Sequence, residues 1–281
     1  MIFFKSTYNE FYKIAAKPRS YLGMTAITVL VGVILLALKS DGRSFISFIT
    51  SSFEQTLTIN GNVLNGNLVA FIVLQMLIIH IPLLVALVTG DLVSGEGASG
   101  TIRLLATKPI SRTLLLLSKF FAGAIYTLFI LVWLGFMAVV LGKLLFGVGD
   151  LIVLNSQGLE IIPENDMNWR FLAGFGVAYL ALLTVSTLSI ALSCFSDNSI
   201  GPIVATMSVI ILFTIIGTLE VNVFDSIKPF LFTTHMASWR SFFSLELPWD
   251  EILFSIGVLL AHIFVFMGVA IFYFNKKDIN S

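Results

Sequence analysis

The chain has 281 residues, of which 57% are hydrophobic and only 11% are charged. A soluble domain of this length carries about 25% charged residues, so much of this protein's surface does not face water. The formal net charge is zero, so no basic field points to nucleic acid as a partner.

Residues 1–20 are predicted to form an amphipathic helix that lies in the membrane interface. When this segment is placed on a helix, Phe4, Tyr8 and Tyr12 share one half, and the cations occupy the other. The run Lys17-Pro18-Arg19 is expected to end this helix, because proline cannot continue it. The start lacks the features of a cleavable signal, so the first apolar run is expected to stay as a membrane anchor. The helix is either a simple anchor or an elbow that also touches a cytoplasmic partner.

Long apolar runs predict membrane-spanning helices. A helix needs about 20 apolar residues to cross a hydrocarbon core of about 30 Å, and lipid offers the backbone no other hydrogen-bond partner. Windows that lack Asp, Glu, Lys and Arg lie at residues 21–38, 68–90, 120–142, 171–196, 200–219 and 252–274. The expected fold is therefore an all-α membrane protein with six transmembrane helices in one domain, residues 1–281.

Basic residues predict the orientation. Ten of the 16 Lys and Arg residues fall on the side that holds both termini, which is therefore expected to be cytoplasmic. The long loops at about 39–67, 143–170 and 220–251 are then outside, and the aromatic stretch Phe230–Phe243 is expected to lie along the outer interface. The three-residue link Asp197-Asn198-Ser199 predicts that spans four and five form a tight antiparallel pair.

Residues 91–119 are predicted to form a cytoplasmic coupling segment between spans two and three. Glycines 95, 97 and 100 are expected to loosen the chain. Thr101–Thr107 can then form about two helical turns, which Pro109 stops. Ser111 is expected to cap the helix that becomes span three. The segment is either an ordinary basic loop or a short amphipathic helix that presses an apolar knob into a partner.

These residues carry a resemblance. The order Glu96, Gly100-Thr101, Leu104-Leu105 and Pro109-Ile110-Ser111-Arg112 resembles the cytoplasmic signature of ABC-2 type transporter permeases. It is most similar to the branch that includes the permease of the nitrous-oxide-reductase maturation transporter. The interfacial helix, the six spans and the length also fit.

The resemblance implies a permease subunit in the cell membrane, expected to be an exporter, which works with a second permease subunit, identical or different. A separate ATPase subunit would bind ATP and Mg²⁺, so this chain would hold no cofactor and would not itself be an enzyme. The residues expected to couple to the ATPase are Glu96, Gly100, Thr101, Arg103, Leu104, Leu105, Pro109 and Arg112.

Polar residues inside the spans are candidates for function. Gln75 and His80 lie in span two, where Pro82 is expected to produce a kink. They either line a substrate path or bond to a neighbouring helix. Ser186, Ser189 and Ser193 share one face of span four, which favours close helix packing. Three scattered histidines and one cysteine predict no metal site.

Two other functions fit parts of the sequence. A partner-free carrier or channel is the first, although no predicted span contains a carboxylate. A rhomboid-like intramembrane protease is the second, because Gly97-Ala98-Ser99-Gly100, Trp169-Arg170 and His262 resemble its motifs. However, Ser99 is expected in the cytoplasm and His262 about 15 Å inside span six, beyond hydrogen-bond reach. The chain also lacks the GxxxxGK[ST] motif that would let it hydrolyse ATP.

Overall fold

The computed structural model describes residues 2–50, 64–101, 110–155 and 158–277. In this part of the chain, most residues are helical. The main helices are α1 (Ile2–Ala16), α2 (Arg19–Thr50), α3 (Gly66–Leu77), α4 (Ile81–Thr89), α5 (Ser94–Ala98), α6 (Arg112–Phe146, with a π-helical turn at Phe136–Val140), α7 (Glu164–Cys194), α8 (Ile200–Thr218), α9 (Asn222–Asp225), α10 (Phe232–His235) and α11 (Trp249–Lys276). Short 3-10 turns lie at Lys228–Phe230 and Ser238–Phe243.

The long helices make this a multi-pass membrane protein. Among the described residues, five helices are long and apolar enough to cross a membrane, and the bent pair α3–α4 passes the same test if it is taken as one span. Each predicted window falls largely on one of these helices or, for residues 68–90, on the bent pair. The helices extend beyond several windows because they also carry charged residues near their ends, such as Lys119 and Lys143 in α6.

The predicted kink at Pro82 is a sharp bend of 53° between α3 and α4. Pro82 lies at the start of α4, where its missing N–H costs little. The His80 N–H donates to the Leu77 carbonyl at 2.8 Å, which tightens the chain at the break. The two helices of the bent pair pack mainly against different neighbours. Helix α3 packs against residues 136–146 of α6, whereas α4 packs against α7 and α8.

The helix bundle has two ends, which we call the α1 end and the hairpin end. At the α1 end, Asp91 contacts residues just before and at the start of α2, and the Arg112 side chain meets the end of α11. At the hairpin end, the Asn65 and Asn67 side chains donate to the carbonyls of Asp150 and Gly149, both at 2.7 Å. The bent pair α3–α4 therefore runs from one end of the helix bundle to the other.

Helix α7 lies at the centre of the bundle and α8 at its edge. Within the most apolar stretch of each helix, 67% of α7 is buried but only 11% of α8. The serine face of α7 packs closely, as predicted: a Cβ atom added at Gly90 would lie 2.8 Å from Ser189 Oγ, and one at Gly123 would lie 3.3 Å from Ser186 Oγ. Small residues therefore bring α7 close to the end of α4 and to α6.

A small β-hairpin departs from the expected all-helical chain. Strands β1 (Leu151–Asn155) and β2 (Gly158–Ile162) pair antiparallel within the loop predicted at 143–170. The paired residues Leu151 and Ile162 are both fully buried. The Glu160 carboxylate accepts a hydrogen bond from the Leu245 N–H at 2.8 Å, which ties the hairpin to the chain before α11.

The aromatic stretch Phe230–Phe243 turns most of its rings into the protein, although Phe230 is 62% exposed, and its place along the outer interface stays a prediction. Phe232, Trp239 and Phe243 are buried between helices. The Phe232 ring lies 5.6 Å from the His262 ring and 5.7 Å from the Phe213 ring, measured between centroids. The rings of Trp239 and Phe243 lie 6.0 and 5.1 Å from the Phe71 ring of α3, so they bury their surface against the bundle.

Candidate functional site

Helix α1 has three different sides. Ser6, Glu10 and Ile14 recur at every fourth residue, and they are the positions buried against the bundle. Phe4 and Tyr8 are exposed on the aromatic side, and the third side is polar. The break after α1 occurs at Lys17 and Pro18, as predicted. The exposed aromatic side suits a helix at the membrane surface, but the buried side carries a carboxylate rather than an apolar stripe.

That carboxylate belongs to a closed arrangement of four charged residues, which we call the ion ring: Glu10, Lys13, Glu96 and Lys119. Lys13 Nζ donates to Glu10 Oε1 at 2.6 Å and to Glu96 Oε1 at 2.7 Å. Lys119 Nζ donates to Glu10 Oε2 at 2.8 Å. It also lies 2.6 Å from Glu96 Oε2, an ion pair whose angle does not make it a hydrogen bond. Each carboxylate therefore lies between two ammonium groups.

The ion ring is deeply buried on one side. The Lys119 side chain is 0% exposed and the Glu10 side chain 4%, whereas the Lys13 side chain is 43% exposed. A buried charge that loses its partner destabilises a protein by about 3–5 kcal/mol. The four charges are thus strongly held together once the chain has folded, although their net contribution to stability is small.

The electrostatics of α1 follow from this geometry. Burial alone would raise the pKa of Glu10, but the positive charges and hydrogen bonds of Lys119 and Lys13 outweigh it, so the pKa lies below its ordinary value. Burial alone would lower the pKa of Lys13, but its hydrogen bonds and attraction to Glu10 and Glu96 raise it. Both residues are therefore charged across the physiological pH range.

A second group of charges lies beside the ion ring. The Lys17 ammonium donates to Asp91 Oδ2 at 2.7 Å, and an Arg19 guanidinium nitrogen lies 2.9 Å from Asp91 Oδ1. The latter contact is an ion pair that is not aligned as a hydrogen bond. A cavity of about 20 Å³ separates the two groups, enough for one water molecule. Together, the two groups fasten α1 and the start of α2 to the chain after α4.

The chain after α4 is more ordered than the glycines suggested. Residues Ser94–Ala98 form the short helix α5, and the Val93 and Ser94 N–H groups donate to Ser193 Oγ of α7 at 3.2 and 2.8 Å. Glycine is needed at 95 because a Cβ atom there would meet the Asp91 carboxylate. The expectation that Gly95 loosens the chain was therefore wrong, since its small size serves packing.

Gly100 is the glycine that does turn the chain. Its φ is +70°, a conformation that residues with a Cβ atom rarely adopt. The Thr101 hydroxyl contacts Ser99 Oγ at 2.9 Å and the Glu96 carbonyl at 3.4 Å. Thr101 is the last described residue before the loop. The other predicted coupling residues in this loop lie outside the described residues: Arg103, Leu104, Leu105 and Pro109. The predicted helix Thr101–Thr107 also lies outside them, except for its first residue.

The second leg of the loop begins at Ser111, which caps α6 as predicted. Its hydroxyl accepts a hydrogen bond from the Leu114 N–H at 3.2 Å. The Arg112 guanidinium donates to the carbonyls of Lys277 at 2.6 Å and Asn275 at 3.2 Å. Arg112, one of the expected coupling residues, thus holds the end of α11 beside the start of α6.

Comparison with known proteins relates this chain to one protein family and to one curated protein. Residues 22–280 match a family model that is described as a protein of unknown function, DUF2705. The chain belongs to the DUF2705 family. It is also similar to the probable ABC transporter permease protein NosY of Stutzerimonas stutzeri, with 29% identity over 140 residues. That alignment covers 43% of this chain and 51% of NosY, so it spans about half of each protein.

The predicted substrate-path residues of this DUF2705 protein lie apart from the ion ring. Gln75 of α3 and His80 before α4 are both exposed with respect to the described residues. His80 Nδ1 donates to the Met76 carbonyl at 2.9 Å, because a carbonyl can only accept. Polar groups on an outward side of a membrane helix are costly in lipid, which favours a protein or water neighbour there.

The geometry also weighs against the protease motif. Ser99 donates to the Gly95 carbonyl at 2.9 Å, close to the ion ring at the α1 end. His262 lies 14 residues before Lys276, where α11 reaches that same end, so about 20 Å of helix separates it from Ser99. A serine and its base must lie within hydrogen-bond reach, so these two residues do not form a catalytic pair.

Sequence reasoning singled out Glu96 but missed its partners. Glu10, Lys13 and Lys119 lie 86, 83 and 23 residues from it along the chain, as their numbers give. Lys119 stands directly before the predicted span 120–142, and a lysine there reads as an ordinary membrane-edge cation. The available signal was the i, i+3 spacing of Glu10 and Lys13 on a helix predicted, like the coupling segment, to lie on the cytoplasmic side.

Proposed function

We propose that this chain is the membrane-spanning permease subunit of an ABC transporter of the ABC-2 type. It moves a substrate, in the direction of export, across the cytoplasmic membrane. The energy comes from ATP, which is bound with Mg²⁺ and hydrolysed by a separate ATPase subunit. The similarity to NosY and the order of residues from Glu96 to Arg112 support this proposal.

The ion ring is the observation that carries the proposal. It joins three elements at the base of the loop 100–110: α1 through Glu10 and Lys13, the chain after α4 through Glu96, and α6 through Lys119. A force applied to this loop would therefore reach all three elements at once. Because the ion ring joins these elements, a local displacement of the loop would be transmitted as movement of whole helices.

The bend in α3–α4 gives the motion a place to occur. Helix α4 leads into the loop through α5, whereas α3 is packed against the far end of α6 at the hairpin end. A push at the α1 end would rotate α4 about residues 78–80 while α3 stays in place. We propose that α3–α4 crosses the membrane as one span, so that six spans form the single permease domain 1–281, with the α1 end and both termini in the cytoplasm.

The contact with the ATPase is assigned to the loop itself. Leu104 and Leu105 provide the apolar knob, Arg103 a charge beside it, and Pro109 the stop before α6. Gly100 and Thr101 set the direction in which the loop leaves Glu96. Glu96 and Arg112 act from inside the chain, since each is bound within it. A second permease subunit would cover the exposed Gln75 and His80, and the substrate path would run there.

Co-purification tests the proposal. The double substitution Leu104→Asp and Leu105→Asp is expected to reduce recovery of the co-purifying ATPase subunit at least tenfold, because an aspartate does not enter an apolar groove. The matched control is Leu144→Asp with Leu145→Asp at the hairpin end, which should leave ATPase recovery unchanged. Equal recovery with the Leu104 and Leu105 variant would refute the coupling assignment, and absence of any ATPase partner would favour a partner-free carrier.

A further inference from the structure

The charges at the α1 end are arranged unevenly with respect to water. In each pair that involves Lys13, Lys17 or Arg19, the carboxylate side chain is 3–12% exposed and the cation side chain 36–43% exposed. The carboxylates thus lie beneath their cations. Although the two groups nearly balance, with four cations and three carboxylates, the surface that they present is basic. Lys5, also exposed, extends that basic surface along α1.

An apolar surface lies next to the basic one. Phe4, Tyr8 and Tyr12 are 76%, 68% and 65% exposed on the adjoining side of α1. Tyr21 and Leu22 are exposed at the start of α2, two and three residues beyond Arg19. Amphipathic aromatic rings favour the boundary between hydrocarbon and headgroups. The basic surface therefore lies at headgroup level, with an apolar surface on its hydrocarbon side.

We propose that Lys5, Lys13, Lys17 and Arg19 bind the phosphate groups of anionic phospholipids. The acyl chains would lie along Tyr21, Leu22 and the aromatic side of α1. Lysine and arginine near a membrane surface each add attraction to anionic lipid, and an adjoining apolar surface adds to it. A lipid satisfies both surfaces at once, whereas an acidic protein surface would leave the aromatic side of α1 without a partner. This inference goes beyond the proposed function, because it requires neither an ATPase nor transport.

The test uses a variant that keeps every buried carboxylate paired. Lys5→Gln with Lys17→Gln removes two exposed cations, but Asp91 keeps Arg19, and Glu10 and Glu96 keep Lys13 and Lys119. The full chain is purified from mixed vesicles of phosphatidylglycerol and phosphatidylcholine, and the lipids that it retains are counted by native mass spectrometry. Retained phosphatidylglycerol is expected to fall about tenfold, with phosphatidylcholine unchanged.

Two controls make the outcomes decisive. Lys5→Arg with Lys17→Arg keeps the charge and should retain phosphatidylglycerol. Lys39→Gln with Arg240→Gln removes two exposed cations elsewhere in the chain and should also retain it. Unchanged retention in the Lys5 and Lys17 glutamine variant would overturn the proposal. Displacement of the lipid by millimolar inorganic phosphate would instead indicate a soluble anion, and loss of ATPase binding without loss of lipid would assign the surface to a protein.

Discussion

Removal of the Lys119 ammonium should destabilise this protein more than removal of any exposed cation. In Lys119→Met, the buried carboxylates of Glu10 and Glu96 share Lys13 alone, so one buried negative charge loses its compensation. The expected cost is about 3–5 kcal/mol. Since 1 kcal/mol shifts the unfolding temperature of a protein of this size by about 2–4 °C, the predicted decrease is about 10 °C.

The assay is thermal unfolding of the purified chain in detergent, and a second substitution shows whether charge is the cause. Lys119→Met with Glu10→Gln leaves the neutral pair of Lys13 and Glu96, so at least half of the lost stability should return. The exposed control Lys39→Met should shift the unfolding temperature by about 1 °C or less. A shift below about 2 °C in Lys119→Met, or no recovery in the double variant, would refute the reasoning.

Two further predictions concern pH and packing. The pKa of Glu10 is lowered from 4.5, and the pKa of Lys13 is raised from 10.5. The contribution of these two charges to stability is therefore constant between pH 4.5 and 10.5. It is lost as the pH falls through the lowered pKa of Glu10 or rises through the raised pKa of Lys13. The difference in unfolding temperature between the wild type and Lys13→Gln should therefore be flat from about pH 6 to 9, and a change within that range would contradict the assignment. Gly90→Ala should destabilise by about 1–3 kcal/mol, because the added Cβ atom would lie 2.8 Å from both the Ala86 carbonyl and Ser189 Oγ. Gly176→Ala, whose Cβ atom would meet nothing within 4 Å, is the matched control, and equal effects of the two substitutions would show that close packing at Gly90 is not the reason.

Features that depend on neighbouring residues could be predicted from the sequence. The break at Pro18, the bend at Pro82 and the cap at Ser111 each follow from the chemistry of one residue and its nearest neighbours. The long apolar runs predicted the spanning helices for the same reason, since lipid leaves the backbone no other choice.

Features that depend on distant residues could not. The ion ring joins residues up to 109 positions apart, and no periodicity in the sequence indicates which lysine meets which glutamate. Gly95 was expected to loosen the chain because the position of the Asp91 carboxylate beside it was unknown. The hairpin was missed because its two strands have five residues each, too short for alternation to stand out in a loop.

The side on which the loop 100–110 lies tests the account most directly. A cysteine at Lys108, in a chain whose buried Cys194 is replaced by alanine, can be labelled with a maleimide that does not cross membranes. The account predicts no labelling in intact cells and full labelling in inverted vesicles, with the opposite result for a cysteine at the exposed Val148 of the hairpin end. Labelling at position 108 from outside intact cells would place the loop beyond reach of a cytoplasmic ATPase and contradict the account.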